Sequence, residues 1–197
     1  MRPLTALAHD ALCEVLHGDD RAIDATVGNG HDTLFLASRV APHGHVIGFD
    51  IQPAALTATR SRLTAAGLDA NATLLACGHE RLGVEIPPDW VGTVAVVMFN
   101  LGYLPGGDKG LITRADTTLA ALQQALPVLR IGGLISLMVY PGHPGADTEV
   151  QVVEDWLAQI GDQCRVTCHA SPGPNLYLIT RLARSEEHTS ELQSRQV

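Results

Sequence analysis

Apolar residues recur along this chain in two rhythms. One is a short continuous run, as in Ala22-Ile23, Val46-Ile47, residues 93–99 and residues 134–140. Such runs suit strands covered on both faces. The other returns every three or four residues, as on one face of a helix. Leu4, Leu7, Ala11, Leu12, Val15 and Leu16 make the first stripe, over residues 4–16, and Gly18 marks its end. The alternation then predicts strands at 21–26, 45–50, 72–76, 93–99, 134–140, 165–169 and 176–182. Helices are predicted at 31–40, from Pro53 to Gly67, at 148–160 and through Leu119, Leu122, Leu126 and Leu129. Thr113-x-x-Asp116 reads as a capping box for the last of these. Gly132-Gly133 reads as a turn into the strand that follows. Strands alternating with helices imply βαβ units. The expected fold is therefore α/β: one Rossmann-like domain with a mostly parallel seven-stranded sheet. The final two strands, joined by a short link, supply an antiparallel edge, and helices cover both faces.

The chemistry-bearing residues fall at strand ends. Asp24-Ala-Thr-Val-Gly-Asn-Gly-His-Asp32 is an acidic residue followed by a Gly-x-Gly turn into a helix. Glycines allow a sharp turn and close approach of a ligand, and the helix start offers free N–H groups. Asp50 follows about 20 residues beyond that turn, the place where an acid binds ribose hydroxyls. Its alternative role is a helix N-cap. His79, Asn100 to Tyr103, and Tyr140 to His143 end further strands. Ligands in open α/β sheets bind beyond the carboxyl ends of the strands, so topology predicts one site from these residues.

Two nucleoside cofactors suit such a site. A dinucleotide fingerprint wants a small residue where Thr33 stands. S-adenosyl-L-methionine instead brings an α-amino group, for which Asp24 is an acceptor. Asn100-Leu-Gly-Tyr103 resembles the Asn-Pro-Pro-Tyr signature of methyltransferases acting on amino nitrogens. An amide oxygen there accepts the amine N–H and aims the nitrogen, and the aromatic ring packs on the target. Leu101-Gly102 departs from the two prolines.

Composition narrows the partners. The 197 residues are 46% apolar with a net charge of −8, a globular composition that speaks against broad nucleic-acid binding. A local patch remains open, and the only lysine, Lys109, follows the Asn100 strand. The four cysteines lack CxxC spacing. Cys164-x-x-x-Cys168-His169 reads as strand packing, and no metal is expected. The N-terminus lacks a signal-peptide pattern and no run approaches the roughly 20 apolar residues of a membrane span, so a cytoplasmic protein is expected. Residues 184–197 are polar and break the pattern. They read like a translated sequencing-adapter oligonucleotide, so the domain is taken as residues 1–183 and the tail as disordered or a loose helix.

Four stretches together resemble one bacterial family: residues 24–32, Phe49-Asp-Ile-Gln52, Phe99-Asn-Leu-Gly-Tyr-Leu-Pro-Gly-Gly-Asp-Lys109 and Tyr140-Pro-Gly-His-Pro-Gly145. Its members were long labelled rRNA methylases. They are now associated with methylating the aminomethyl group of wobble uridine in tRNA, giving 5-methylaminomethyl(-2-thio)uridine. Ala146 stands where the family often has glycine. The resemblance implies a class I methyltransferase fold, S-adenosyl-L-methionine as cofactor and the tRNA anticodon loop as partner. Asp24, Gly28, Asn29, Gly30, His31 and Asp32 would hold the methionine end, Asp50 and Gln52 the ribose, and His79 the adenine. Asn100 and Tyr103 would be catalytic. Gly102, Asp108, Lys109, Tyr140 and His143 would face the RNA. Candidates for a general base are Asp108, His31, His143 or solvent. Other readings are a methyltransferase for rRNA or a small-molecule amine, an NAD-linked oxidoreductase, and a non-catalytic cofactor-binding module. Oligomeric state stays open, a homodimer included.

Overall fold

The computed structural model describes residues 2–102, 113–141 and 145–183. In chain order the elements are α1 (Leu4–Cys13), β1 (Arg21–Asp24), α2 (His31–Val40), β2 (His45–Phe49), α3 (Pro53–Ala66), β3 (Ala72–Leu75) and α4 (Leu82–Glu85). There follow β4 (Val94–Leu101), α5 (Ala115–Val128), β5 (Leu129–Val139), α6 (Ala146–Gln159), β6 (Cys164–His169) and β7 (Asn175–Arg181). The seven strands form one sheet in the order β3-β2-β1-β4-β5-β7-β6. All pairs from β3 through to β5 are parallel. β7 runs antiparallel to both β5 and β6. The antiparallel pair lies at the edge, as the short link predicts, and the reversed strand is inserted one place inside it.

Alternation within β1 splits the core. Ala22 packs with Val46, Val96, Met98 and Leu134 under Leu12, Leu36, Ala37, Val40 and Leu63, from α1, α2 and α3. Ile23 packs on the other face with Ile47, Phe49, Val97, Phe99 and Leu137, under Leu122, Val153 and Trp156 of α5 and α6. Each central strand therefore reads as unbroken apolar sequence, because both of its faces are covered. The order of connections reverses between β1 and β4. There the register pairs Asp24 with Met98, so the carboxyl ends of the two strands open side by side.

The structure corrects two local expectations. Thr113 and Asp116 form no capping box, since α5 begins after Arg114 without a side-chain cap. The Thr113 hydroxyl donates to Glu149 Oε2 (3.0 Å) and accepts the Gly102 N–H (2.8 Å), and Asp116 pairs with Arg114. Gly132-Gly133 lies within β5, which starts directly from α5 at Leu129; the β4–β5 register shifts there to absorb the extra residues. After β3 the chain forms a 3-10 turn (His79–Arg81) followed by α4.

Candidate functional site

The site is built on the turn after β1. The Asp24 carboxylate is fully buried, accepting the Thr26 N–H (3.1 Å) and the Thr33 hydroxyl (2.6 Å). Burial, reinforced by the Asp32 carboxylate, raises its pKa to about 7. Gly28 (φ 52°) donates its N–H to Asp50 Oδ2 (2.8 Å), and Gln52 donates its own to Asp50 Oδ1 (2.8 Å). Gly30 is left-handed (φ 79°) and sits on α3, where a Cβ would lie 2.4 Å from the Thr59 hydroxyl and 2.8 Å from the Thr59 Cα. Only glycine meets both demands, the backbone conformation and the missing space. Arg62 Nε donates to the Asn29 carbonyl (2.7 Å), fixing the crest of the turn. His31 is exposed at the start of α2.

Asn100, near the end of β4, faces this turn. Its N–H donates to the Thr26 hydroxyl (2.7 Å) and its side-chain Nδ2 donates to Asp32 Oδ2 (2.6 Å). A carboxylate accepts only, so Asp32 must hold the amide nitrogen, and Oδ1 of Asn100 is left to accept. Tyr140 lies at the same end of β5. Its hydroxyl pKa is raised by burial and then by the Asp32 carboxylate, and a Cβ on Gly102 (φ 142°) would stand 3.8 Å from its ring. Gly102 and Thr113 bond each other twice, since Thr113 also donates its N–H to the Gly102 carbonyl (3.0 Å).

His79 comes from the 3-10 turn after β3. It donates Nδ1–H to the Ala25 carbonyl (3.2 Å) and meets Phe99 edge-on. Burial lowers its pKa, so the ring is neutral. Its Nε2 is a buried acceptor with no partner among the described residues.

The structure thus brings Asp24, Gly28, Asn29, Gly30, Asp32, Asp50, Gln52, His79, Asn100, Gly102 and Tyr140 to one end of the sheet. Tyr103, Asp108, Lys109 and His143 lie outside the described residues. Sequence reading missed His9, whose ring on α1 donates Nε2–H to Asp32 Oδ1 (2.6 Å). It also missed Thr26, Thr33 and Thr59, whose hydroxyls fasten the turn. Threonines inside a strand-turn-helix look like filler, and a histidine on an amphipathic helix looks like surface. An open groove at the opposite end of the sheet, beside Arg21, His45 and Trp90, shares none of the predicted site residues. Among the described residues there is no cluster of three metal-ligating side chains, and no helix long and apolar enough to cross a membrane.

Comparison with known proteins gives this arrangement a family. The family model described as Putative rRNA methylase matches residues 46–172. The chain belongs to this family. The crystal structure of a Clostridium thermocellum protein described as a putative rRNA-methylase superposes with a TM-score of 0.86 at 35% identity, covering 92% of this chain and 99% of that one. A Streptococcus mutans protein, SMU.1697c, described as a putative methyltransferase and solved in complex with SAH, gives a TM-score of 0.82 at 32% identity over 92% and 99% of the two chains. The chloroplastic tRNA (mnm(5)s(2)U34)-methyltransferase of Arabidopsis thaliana is 44% identical over 158 residues, 76% of this chain and 57% of that protein. The chain therefore spans a little over half the length of that relative. The fold is the Rossmann-like class I methyltransferase fold.

Proposed function

We propose that this protein transfers a methyl group from S-adenosyl-L-methionine to the exocyclic amine of 5-aminomethyl(-2-thio)uridine at the wobble position of tRNA, in the cytoplasm. One observation carries the chemical class: the Asn100 amide is locked by Asp32 through its nitrogen beside the glycine turn, which leaves its oxygen as the acceptor. An amine nitrogen needs such an acceptor on its N–H so that its lone pair is aimed along the line of transfer. The tRNA reading rests on the Arabidopsis relative, whose name describes that reaction.

The residues present fit the cofactor. It supplies a methyl group on a sulfonium, open to in-line displacement. Each Asp50 oxygen holds one backbone N–H and keeps a lone pair for a ribose hydroxyl, with Gln52 alongside. His79, tied to the Ala25 carbonyl just beyond β1, would stand near the adenine. Asn29, Gly30, His31 and Asp32 line the methionine end. Asp24 has no exposed surface, so we assign it to holding the turn through Thr26 and Thr33 rather than to touching the α-amino group. An NAD-linked oxidoreductase fits less well. Thr33 fills the position of the small fingerprint residue, and its hydroxyl is committed to Asp24.

An aliphatic amine is mostly protonated at neutral pH, as a lysine amine is, so the enzyme must draw on the neutral form. Gly102, Asp108, Lys109, Tyr140 and His143 are the residues proposed to meet the RNA, and Tyr103 is proposed to act beside Asn100. The test is nucleoside mass analysis of tRNA after incubation with enzyme and methyl donor. The expected result is a gain of one methyl on 5-aminomethyluridine in tRNA carrying that group, and none in tRNA with unmodified wobble uridine. No gain on the aminomethyl tRNA refutes the assignment.

A further inference from the structure

The N-terminal helix reaches the site through one side chain. Ala8 and Leu12 of α1 are buried against the sheet side, and His9, between them in sequence, projects to α2. There it meets two residues three apart on one helical face. Its ring stacks on Phe35 with centroids 3.9 Å apart and planes 1° apart. Its Nε2 donates to Asp32 Oδ1 at 2.6 Å. Stacking fixes the plane of the imidazole, and the hydrogen bond fixes its rotation within that plane. Asp32 is the second residue of α2, where an acid can face the free N–H groups of its own helix start. The cap position itself is Gly30, which has no side chain. Both Asp32 oxygens turn outward instead, one to His9 and one to Asn100.

We infer that His9 is a positioning residue, holding Asp32 in the rotamer that presents the Asn100 oxygen to the incoming amine, so that α1 is part of the active site. This rests on the amine-steering role given to Asn100 above. Without the His9 donor, Asp32 is free to swing back onto the N–H groups of its own helix start. The Asn100 amide then loses its only side-chain anchor among the described residues. A second-layer residue of this kind matters because a small misplacement of a reacting group costs large factors in rate.

Three proteins decide the matter: wild type, His9→Phe and His9→Gln. Phenylalanine keeps the stack on Phe35 and removes the donor. Glutamine loses the stack and places an amide N–H near the position of Nε2. Steady-state methyl transfer to tRNA, calorimetric titration with S-adenosylhomocysteine, and the NMR signals of the Asn100 side-chain amide in the unliganded protein are recorded for each. The expected result for His9→Phe is a fall in kcat of at least about tenfold, with KM for tRNA within about threefold of wild type and any loss of S-adenosylhomocysteine affinity smaller than the loss of kcat. The Asn100 amide signals move or broaden. His9→Gln recovers most of kcat and returns the amide signals. A purely packing role predicts the reverse order, with phenylalanine tolerated and glutamine damaging, and that order overturns the inference. Unmoved Asn100 signals in His9→Phe overturn it as well. If the wild-type protein leaves aminomethyl tRNA unmethylated, the substrate assignment fails, and the NMR comparison still decides the role of His9.

Discussion

Asn100→Ala is expected to lower methyl transfer by at least about a hundredfold, the scale on which loss of an orienting group acts, while S-adenosylhomocysteine binds within about threefold of its wild-type affinity. The split follows from where Asn100 is held. Its backbone N–H, bonded to the Thr26 hydroxyl, survives the substitution and keeps the end of β4 against the turn. The residues proposed for ribose and adenine, Asp50, Gln52 and His79, belong to other strand ends and keep their own bonds. What disappears is the amide that Asp32 aligns. Transfer kinetics measured beside calorimetry separate the two effects. Equal losses in rate and in S-adenosylhomocysteine affinity would mean that Asn100 grips the donor rather than the amine.

The second large effect is on stability. Asp24 is fully buried with its pKa raised to about 7, by burial first and the Asp32 carboxylate next. In the unfolded chain the group titrates near its ordinary value of about 3.9. Between roughly pH 4 and 7 the folded state therefore keeps a proton that the unfolded state has released, and stability falls as pH rises through that window. Above it the folded protein carries a buried carboxylate at full cost. The Asp24→Asn variant has no carboxyl to ionise there, and its new amide can accept the Thr26 N–H and donate to the Thr33 hydroxyl. Asp24→Asn should thus unfold at higher denaturant than wild type at pH 8. The gain is at most about 4 kcal/mol, the free-energy equivalent of the difference between the folded and unfolded pKa, and it should shrink towards zero near pH 4. Urea unfolding of both proteins at the two pH values checks this. A difference that does not change with pH would show that the carboxyl titrates normally in the fold. The same substitution reports on the site: Asp24 has no exposed surface, so S-adenosylhomocysteine affinity should change little if the turn is kept.

Periodicity makes most of the fold legible. β1, β2, β4 and the core of β5 are covered on both faces and so appear as uninterrupted apolar runs. Pro53 and Gly67 bracket α3 where each residue type suits its helix end. What escapes is decided by tertiary competition. The Thr113 hydroxyl is a capping group by spacing, but a buried carboxylate, Glu149 at 1% exposure, claims it and Thr118 together. Asp50 shows the same ambiguity from the other side. It follows the end of β2 and divides its carboxylate, one oxygen holding the glycine turn at Gly28 and the other the N–H of Gln52 at the start of α3. Asp24 heads the turn, as its place in the sequence suggests, but its complete burial depends on Thr33 in the helix beyond, which no local pattern announces. His9 is illegible for a related reason. Its meaning depends on α1 crossing to α2, a packing choice that the α1 stripe does not encode.

The central claim is geometric: the glycine turn, Asp50 and His79 cradle the methyl donor, and the Asn100 oxygen lies on the side to which its methyl departs. A crystal structure with S-adenosylhomocysteine measures this directly. The account predicts the ribose hydroxyls on Asp50, the adenine beside His79, and the sulfur facing Asn100 with the Asp32–Asn100 bond intact. A ligand seated elsewhere, or an Asn100 side chain turned away from the sulfur, would contradict it.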